Sequence, residues 1–203
     1  MAFFSGIDIA VDNWLYKNEE TIKKIFTDNM VNIALRGTYF LAPYLVFKQK
    51  QGYLPYFFTS LGIMAVGKWA FGREYQEDIP TGKDIWNPFS VPLKECYKKA
   101  FPSGHTTATI STALYCNDLL SWAWCCFVIL VIFFRREHWL FDIIFGIFLG
   151  LLVFLVSKVI GPFNIFNINS VAGGIKTFSD ITNIITGLKN SWDLFNSISY
   201  FIY

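Results

Sequence analysis

Only two side chains in this 203-residue sequence, both histidines, ordinarily titrate near neutrality, and both sit in chemically suggestive runs. His105 closes Pro102-Ser103-Gly104-His105. His138 opens His138-Trp139-Leu140-Phe141-Asp142, with Arg135 and Arg136 just before it. The ordinary histidine pKa lies closest to pH 7, so each imidazole can act as base, acid or nucleophile. Asp142 follows His138 by four residues, which puts both on one helix face. A carboxylate so placed fixes the imidazole tautomer, stabilises the imidazolium and leaves the far nitrogen free to attack. The Pro-Ser-Gly run has a complementary logic. A helix N-terminus presents unpaired N–H groups and partial positive charge, which suits a phosphate. Gly104 permits close backbone approach, and Ser103 can donate to a phosphate oxygen. Lys68 and a nearby arginine add fixed positive charge for a transferring phosphoryl group. The competing reading is two unrelated histidines capping helices at a membrane surface.

The elements that carry these residues are set by composition. Hydrophobic residues make up 54% and charged residues 16%, against about 25% charged in an ordinary soluble domain. The apolar residues are bunched. Residues 29–47 carry one charge, Arg36; 53–67 carry none; 103–134 carry one, Asp118; 138–156 carry Asp142 besides His138. Such runs predict an all-α, polytopic membrane bundle of about five transmembrane helices with flanking amphipathic helices. The expected spans are about 30–47, 53–71, two from 103 to 134 broken at Asn117-Asp118, and 138–159. The paired spans are short, roughly 24 Å each at 1.5 Å per residue. A polar, proline-bearing loop covers 72–101. Residues 1–28 form an N-terminal interfacial segment, in which Trp14, Leu15, Ile22, Ile25 and Phe26 predict a short amphipathic helix. Residues 29–161 form the membrane-embedded domain. In the tail, 162–203, Phe178, Ile181, Ile185, Leu188, Trp192 and Phe195 form a narrow stripe that predicts a further amphipathic helix. Tracing the spans from side to side brings Lys68, Arg73, His105, Arg135, Arg136, His138 and Asp142 to one membrane face.

Several classes are disfavoured. The net charge of +2 gives no basic field for nucleic acid. The four cysteines have neither disulfide-framework nor metal-ligand spacing, and three lie in apolar helix. The N-terminus lacks a signal-peptide pattern, and no repeat is evident.

Pro102-Ser103-Gly104-His105, followed by His138-x3-Asp142 entering an apolar helix, resembles the type 2 phosphatidic acid phosphatase superfamily. This includes membrane lipid phosphatases and is related to soluble bacterial acid phosphatases and vanadium haloperoxidases. The resemblance covers about residues 30–160. It implies that His138 attacks phosphorus to form a phosphohistidine. It implies that His105 protonates the leaving oxygen and later activates water, and that Asp142 orients His138. Lys68, Ser103 and Gly104 would hold the phosphate. No metal and no cofactor are implied. The substrate would be a lipid phosphate or pyrophosphate, and family habit puts the site on the outer face of a bacterial inner membrane. The pattern departs at two places. The family's Lys-x6-Arg-Pro would put Arg-Pro where Tyr75 and Gln76 stand. Its Ser-Arg-x5-His would put Ser-Arg where Val131 and Ile132 stand. Arg73, Arg135 and Arg136 are the nearest substitutes. An active enzyme requires Arg73 to point toward the phosphate, and at least one of Arg135 and Arg136 to reach it. Two other outcomes share these residues: a lipid phosphotransferase using the same intermediate, and a non-catalytic binding or scaffold protein derived from the family.

Overall fold

The computed structural model describes residues 2–76 and 83–162, with side chains from Ser5 onward. The amphipathic helix expected in the tail lies outside the described residues. All regular structure within them is helical, apart from a one-residue bridge between Arg73 and Trp86. Eight α-helices follow in order: α1 Ala2–Lys17, α2 Glu19–Ile25, α3 Asp28–Gly37, α4 Leu41–Phe47, α5 Leu54–Phe71, α6 Gly104–Cys116, α7 Leu119–Phe134 and α8 Leu140–Ile160.

Two expectations change in detail. The first span is not one helix. A 3-10 turn at Thr38–Phe40 separates α3 from α4. Pro43 accounts for the break, because it has no N–H for the carbonyl four residues back, at Tyr39, and its ring crowds that carbonyl. The N-terminal stripe does not form one face either. Leu15 and Ile22 are buried, but Trp14 and Ile25 are more than half exposed. The helix starts earlier, at Ala2, and turns Asp8 and Asp12 inward.

The turn between α6 and α7 follows from local chemistry. Asn117 takes the left-handed conformation that ends α6 (φ 51°). Asp118 then caps α7 in a capping box with Ser121. Lys48 and Tyr44 also bind the Asp118 carboxylate, at 3.0 and 3.2 Å. Its pKa falls to about 2, chiefly through the Ser121 backbone N–H.

Helix α6 is the centre. All of its residues except Leu114 and Cys116 are buried, and α4, α5, α7 and α8 pack around it. It is rich in threonine, whose hydroxyls are satisfied by carbonyls one turn back: Thr107 on Ser103, Thr109 on His105 and Thr112 on Ala108. Small side chains on this helix admit α8 closely. A Cβ on Gly146 would lie 2.8 Å from the Ser103 carbonyl, and one on Gly150 2.8 Å from Ile110 Cγ2. The outer faces are apolar: Phe148, Leu152, Leu155 and Val159 of α8 and Leu119, Leu120 and Leu130 of α7 are exposed.

Two helical stretches are long and apolar enough to cross a membrane: Asp28–Phe47, counted through its break, and Leu140–Ile160. Helix α7 is apolar but has 16 residues. The 18-residue α5 and the 13-residue α6 are not among the helices that meet both conditions.

Candidate active site at the histidine end of the bundle

The chain reversals place the C-terminal ends of α5 and α7 beside the N-terminal ends of α6 and α8. Lys68, His105, His138 and Asp142 meet there, all buried. The rings of His105 and His138 are neighbours, with centroids 6.1 Å apart and planes tilted by 59°. Asp142 Oδ2 lies 3.4 Å from His138 Nδ1 and accepts the Trp139 backbone N–H at 3.2 Å. The carboxylate therefore contacts the nitrogen of His138 on one side of the ring. Among the described residues, neither ring nitrogen of His105 has a hydrogen-bond partner, although both are buried. A buried polar group of this kind is costly unless something pairs with it, and such groups concentrate at working sites.

Lys68, in the last turn of α5, donates to the Lys99 carbonyl and to Tyr75 Oη. Both partners are neutral, so its charge is not spent on a carboxylate. The Tyr75 ring lies against His138 at 5.3 Å between centroids, tilted by 53°; it stands where the pattern that the sequence resembles has arginine. Ser103 is the N-cap of α6. Its Oγ accepts from the Thr106 N–H and hydroxyl at 3.3 and 3.0 Å, which leaves its own O–H to donate. Its backbone N–H donates to the Asp142 carbonyl and ties α6 to α8. Gly104 has a packing role: a Cβ there would lie 2.9 Å from Met64 Cε of α5.

The arginines differ from expectation. Arg73 does not present its head group to the histidine pair. Nη1 binds Asp142 Oδ1 at 2.7 Å, Nη2 binds Asp8 at 2.5 Å, and Nε and Nη2 bind the two oxygens of Asp84 at 2.9 and 3.0 Å. Trp86 and Trp139 cover it at 4.7 and 4.6 Å. Arg135 donates to the Phe26 carbonyl and Asp28, which fastens the end of α7 to the α2–α3 junction. Arg136 binds Asp12 at 2.6 Å and lies over Tyr16. The physical reason is the same in each case: an arginine near low-dielectric surroundings takes the nearest carboxylate or carbonyl, supplied by the N-terminal helices and, for Arg73, also by Asp84 and Asp142.

Asp8, Asp12 and Asp84 are thus part of this end of the bundle, and the motif spacings gave no sign of them. Asp8 also accepts the Phe141 N–H at the start of α8, at 3.1 Å. Burial pushes the Asp8 carboxyl up in spite of Arg73. Burial also opposes the charge on Arg73, but Asp142, Asp84 and Asp8 outweigh it and hold its pKa up. The two shifts are compatible, because one guanidinium cannot neutralise three carboxylates. A usable signal was present for α1: two acids four residues apart in an otherwise apolar stretch, Ile7 to Trp14, need a buried partner.

No group of three or more metal-ligating side chains occurs among the described residues. No family model matches the chain, and no curated protein or solved structure is significantly similar to it.

Proposed function

We propose that this chain is an integral membrane phosphatase that hydrolyses a lipid phosphomonoester or pyrophosphate through a phosphohistidine. The observation that carries this reading is the adjacent pair His105 and His138, with Asp142 against Nδ1 of His138. His138 attacks phosphorus through Nε2. The phosphorus–oxygen bond to the leaving group breaks, and His105 delivers the proton that the departing oxygen needs. Water then attacks the phosphohistidine as His105 takes back a proton, which releases inorganic phosphate. Lys68, the Ser103 hydroxyl and the first N–H groups of α6 are the groups suited to hold the phosphate oxygens. Arg73, Arg135 and Arg136 do not meet the expectation that arginines hold the phosphate, so this reading rests on Lys68, Ser103 and the start of α6 supplying the charge and donors in their place.

The apolar outer faces of α7 and α8 and the two helices long enough to cross a membrane support a bilayer setting. In that setting α3–α4, α5, α6, α7 and α8 make a five-span bundle, with the short α6 shielded by its neighbours. Lys48, Lys50 and Lys158 gather at the end away from the histidines. Arg135, Arg136 and the lysines of α1 and α2 put basic residues at the histidine end as well, so the outer-face site in a bacterial inner membrane rests on the family resemblance and not on charge distribution.

A second reading has its own observation. Arg73, Arg135 and Arg136 are all bonded to carboxylates or carbonyls, which suits a non-catalytic membrane protein that has lost its phosphate clamp. The experiment is phosphate release by purified protein from a panel of lipid phosphates, alongside His138→Ala. The enzyme reading expects release that His138→Ala abolishes in a folded protein. No release from any substrate favours the second reading, and near-wild-type turnover by the variant removes His138 as nucleophile.

A further inference from the structure

We infer that Arg73 is a positioning residue: it sets Asp142, and through Asp142 the His138 ring, rather than holding the phosphate of a substrate. The kinetic side of this inference rests on the phosphatase reading; its spectroscopic side does not.

The guanidinium has five N–H donors, and four bonds to three carboxylates engage all three of its nitrogens. The side chain is 1% exposed, with an indole on each of two contacts. A phosphate clamp needs a pair of open donors and a path to them; the four bonds leave Arg73 a single N–H, on Nη1, and its burial leaves no path. What it has is a fixed orientation. Asp84 takes Nε and Nη2 in a two-pronged contact that sets the plane of the fork. With that plane set, Nη1 is directed at Asp142 Oδ1. The backbone is equally constrained. Gly72 adopts a left-handed conformation (φ 60°), and a Cβ there would overlap the Asn87 carbonyl. Arg73 itself accepts the Ala100 N–H at 2.7 Å.

The contact that matters is long. Asp142 Oδ2 to His138 Nδ1 is 3.4 Å, at the outer edge of a hydrogen bond. Whether the imidazole is held in the Nδ1–H tautomer depends on a few tenths of an ångström in Asp142. Arg73 on one oxygen and the Trp139 N–H on the other fix where that carboxylate stands. Asp84 makes no bond to either histidine; besides the fork it accepts, among the described residues, only the Ser5 hydroxyl, at 2.6 Å, so it reports on His138 through Arg73.

Because the chain has two histidines, protein labelled with 15N-histidine and purified without a histidine tag gives two imidazoles. His105→Gln assigns them. In the wild type, His138 should show the Nδ1–H tautomer. Arg73→Gln and Asp84→Asn should both move His138 toward a tautomer mixture, with Arg73→Lys partly restoring it and His105 moving less. An unchanged His138 spectrum in Arg73→Gln and Asp84→Asn overturns the inference; if Arg73→Gln does not fold, Asp84→Asn alone decides. In turnover, Arg73→Gln should lower kcat about 100-fold, the scale of a misplaced reacting group. KM and product inhibition by inorganic phosphate should stay within about threefold, because ground-state phosphate binding is untouched. A raised KM with lost inhibition by inorganic phosphate would make Arg73 a phosphate clamp and the inference wrong. A wild type without phosphatase activity defeats the functional reading, while the imidazole spectra still decide the role of Arg73.

Discussion

Gly146→Ala is the substitution whose effect is best fixed by geometry. Gly146 lies one turn after Asp142 on α8, against the first turn of α6. The added Cβ would stand 2.8 Å from the Ser103 carbonyl oxygen and 2.9 Å from Thr106 Cβ. Ordinary contact begins at about 3.5 Å, so α8 must retreat by roughly half an ångström or more. The carbonyl cannot yield instead, because it accepts the Thr107 N–H and hydroxyl at 3.1 and 2.9 Å. Overpacking of this kind costs about 1–3 kcal/mol. Removing a glycine from a helix returns roughly 0.5–1 kcal/mol. The expected net loss is therefore about 0.5–2 kcal/mol. The same retreat carries Asp142 away from α6 and His105. A 1 Å misplacement costs about 100-fold in rate, so half that displacement should cost roughly tenfold. The assay is thermal unfolding in detergent, followed by tryptophan fluorescence, together with phosphate release. Gly62→Ala is the control: nothing lies within 4 Å of its Cβ, and it should gain about 0.5–1 kcal/mol at full activity. If Gly146→Ala matches Gly62→Ala in both measurements, the close α6–α8 seam does not set the site.

Three further outcomes are expected. His105→Ala should lose far more turnover on an alkyl phosphate than on a nitrophenyl phosphate, whose leaving group needs little protonation; equal losses argue against a general acid. Chelators should leave phosphate release unchanged and vanadate should inhibit it, whereas activity lost to chelator and restored by a divalent ion would require a metal mechanism. The third outcome concerns pH. The Asp8 carboxyl is pushed up by burial from 3.8, so the folded state prefers it protonated and its ionisation costs stability. The stability of the wild type relative to Asp8→Asn should fall as pH rises from about 4 through the raised pKa, then level off. A gap that grows in favour of the wild type over that range would reverse the assigned sign.

How legible each part was depended on the range of the interaction. Lys68, Ser103, His105, His138 and Asp142 could be brought together from the sequence because a helical hairpin returns the chain to the same end, and Asn117-Asp118 marks its turn. The i, i+4 spacing pairs Asp142 with His138, but not on one helix face: His138 precedes α8, whose N-cap is the extended Trp139, and Asp142 meets it from the first turn. The destination of Arg73 was not legible, because its partner Asp8 lies 65 residues away and no periodicity couples α1 to the loop after α5. Proximity to a motif suggested a phosphate ligand, and desolvation assigned carboxylates instead. The break between α3 and α4 was readable in principle, since Pro43 cannot donate to Tyr39; the uninterrupted apolar run concealed it.

The composition of α6 has a consequence for how such a bundle is made. Its 13 residues span about 20 Å and carry six hydroxyl or imidazole side chains from His105 to Thr112. A segment so short and polar has little tendency to partition into lipid alone. In the proposed bilayer setting, α8 and the Asp28–Phe47 stretch are the segments long and apolar enough to enter alone, and α6 would follow, paired with α7 and sheltered by helices already in place. His105 rides on the late arrival and His138 on an early one. If the chain is the proposed membrane phosphatase, its two imidazoles would meet only when assembly is complete, and half-inserted chains would be inactive.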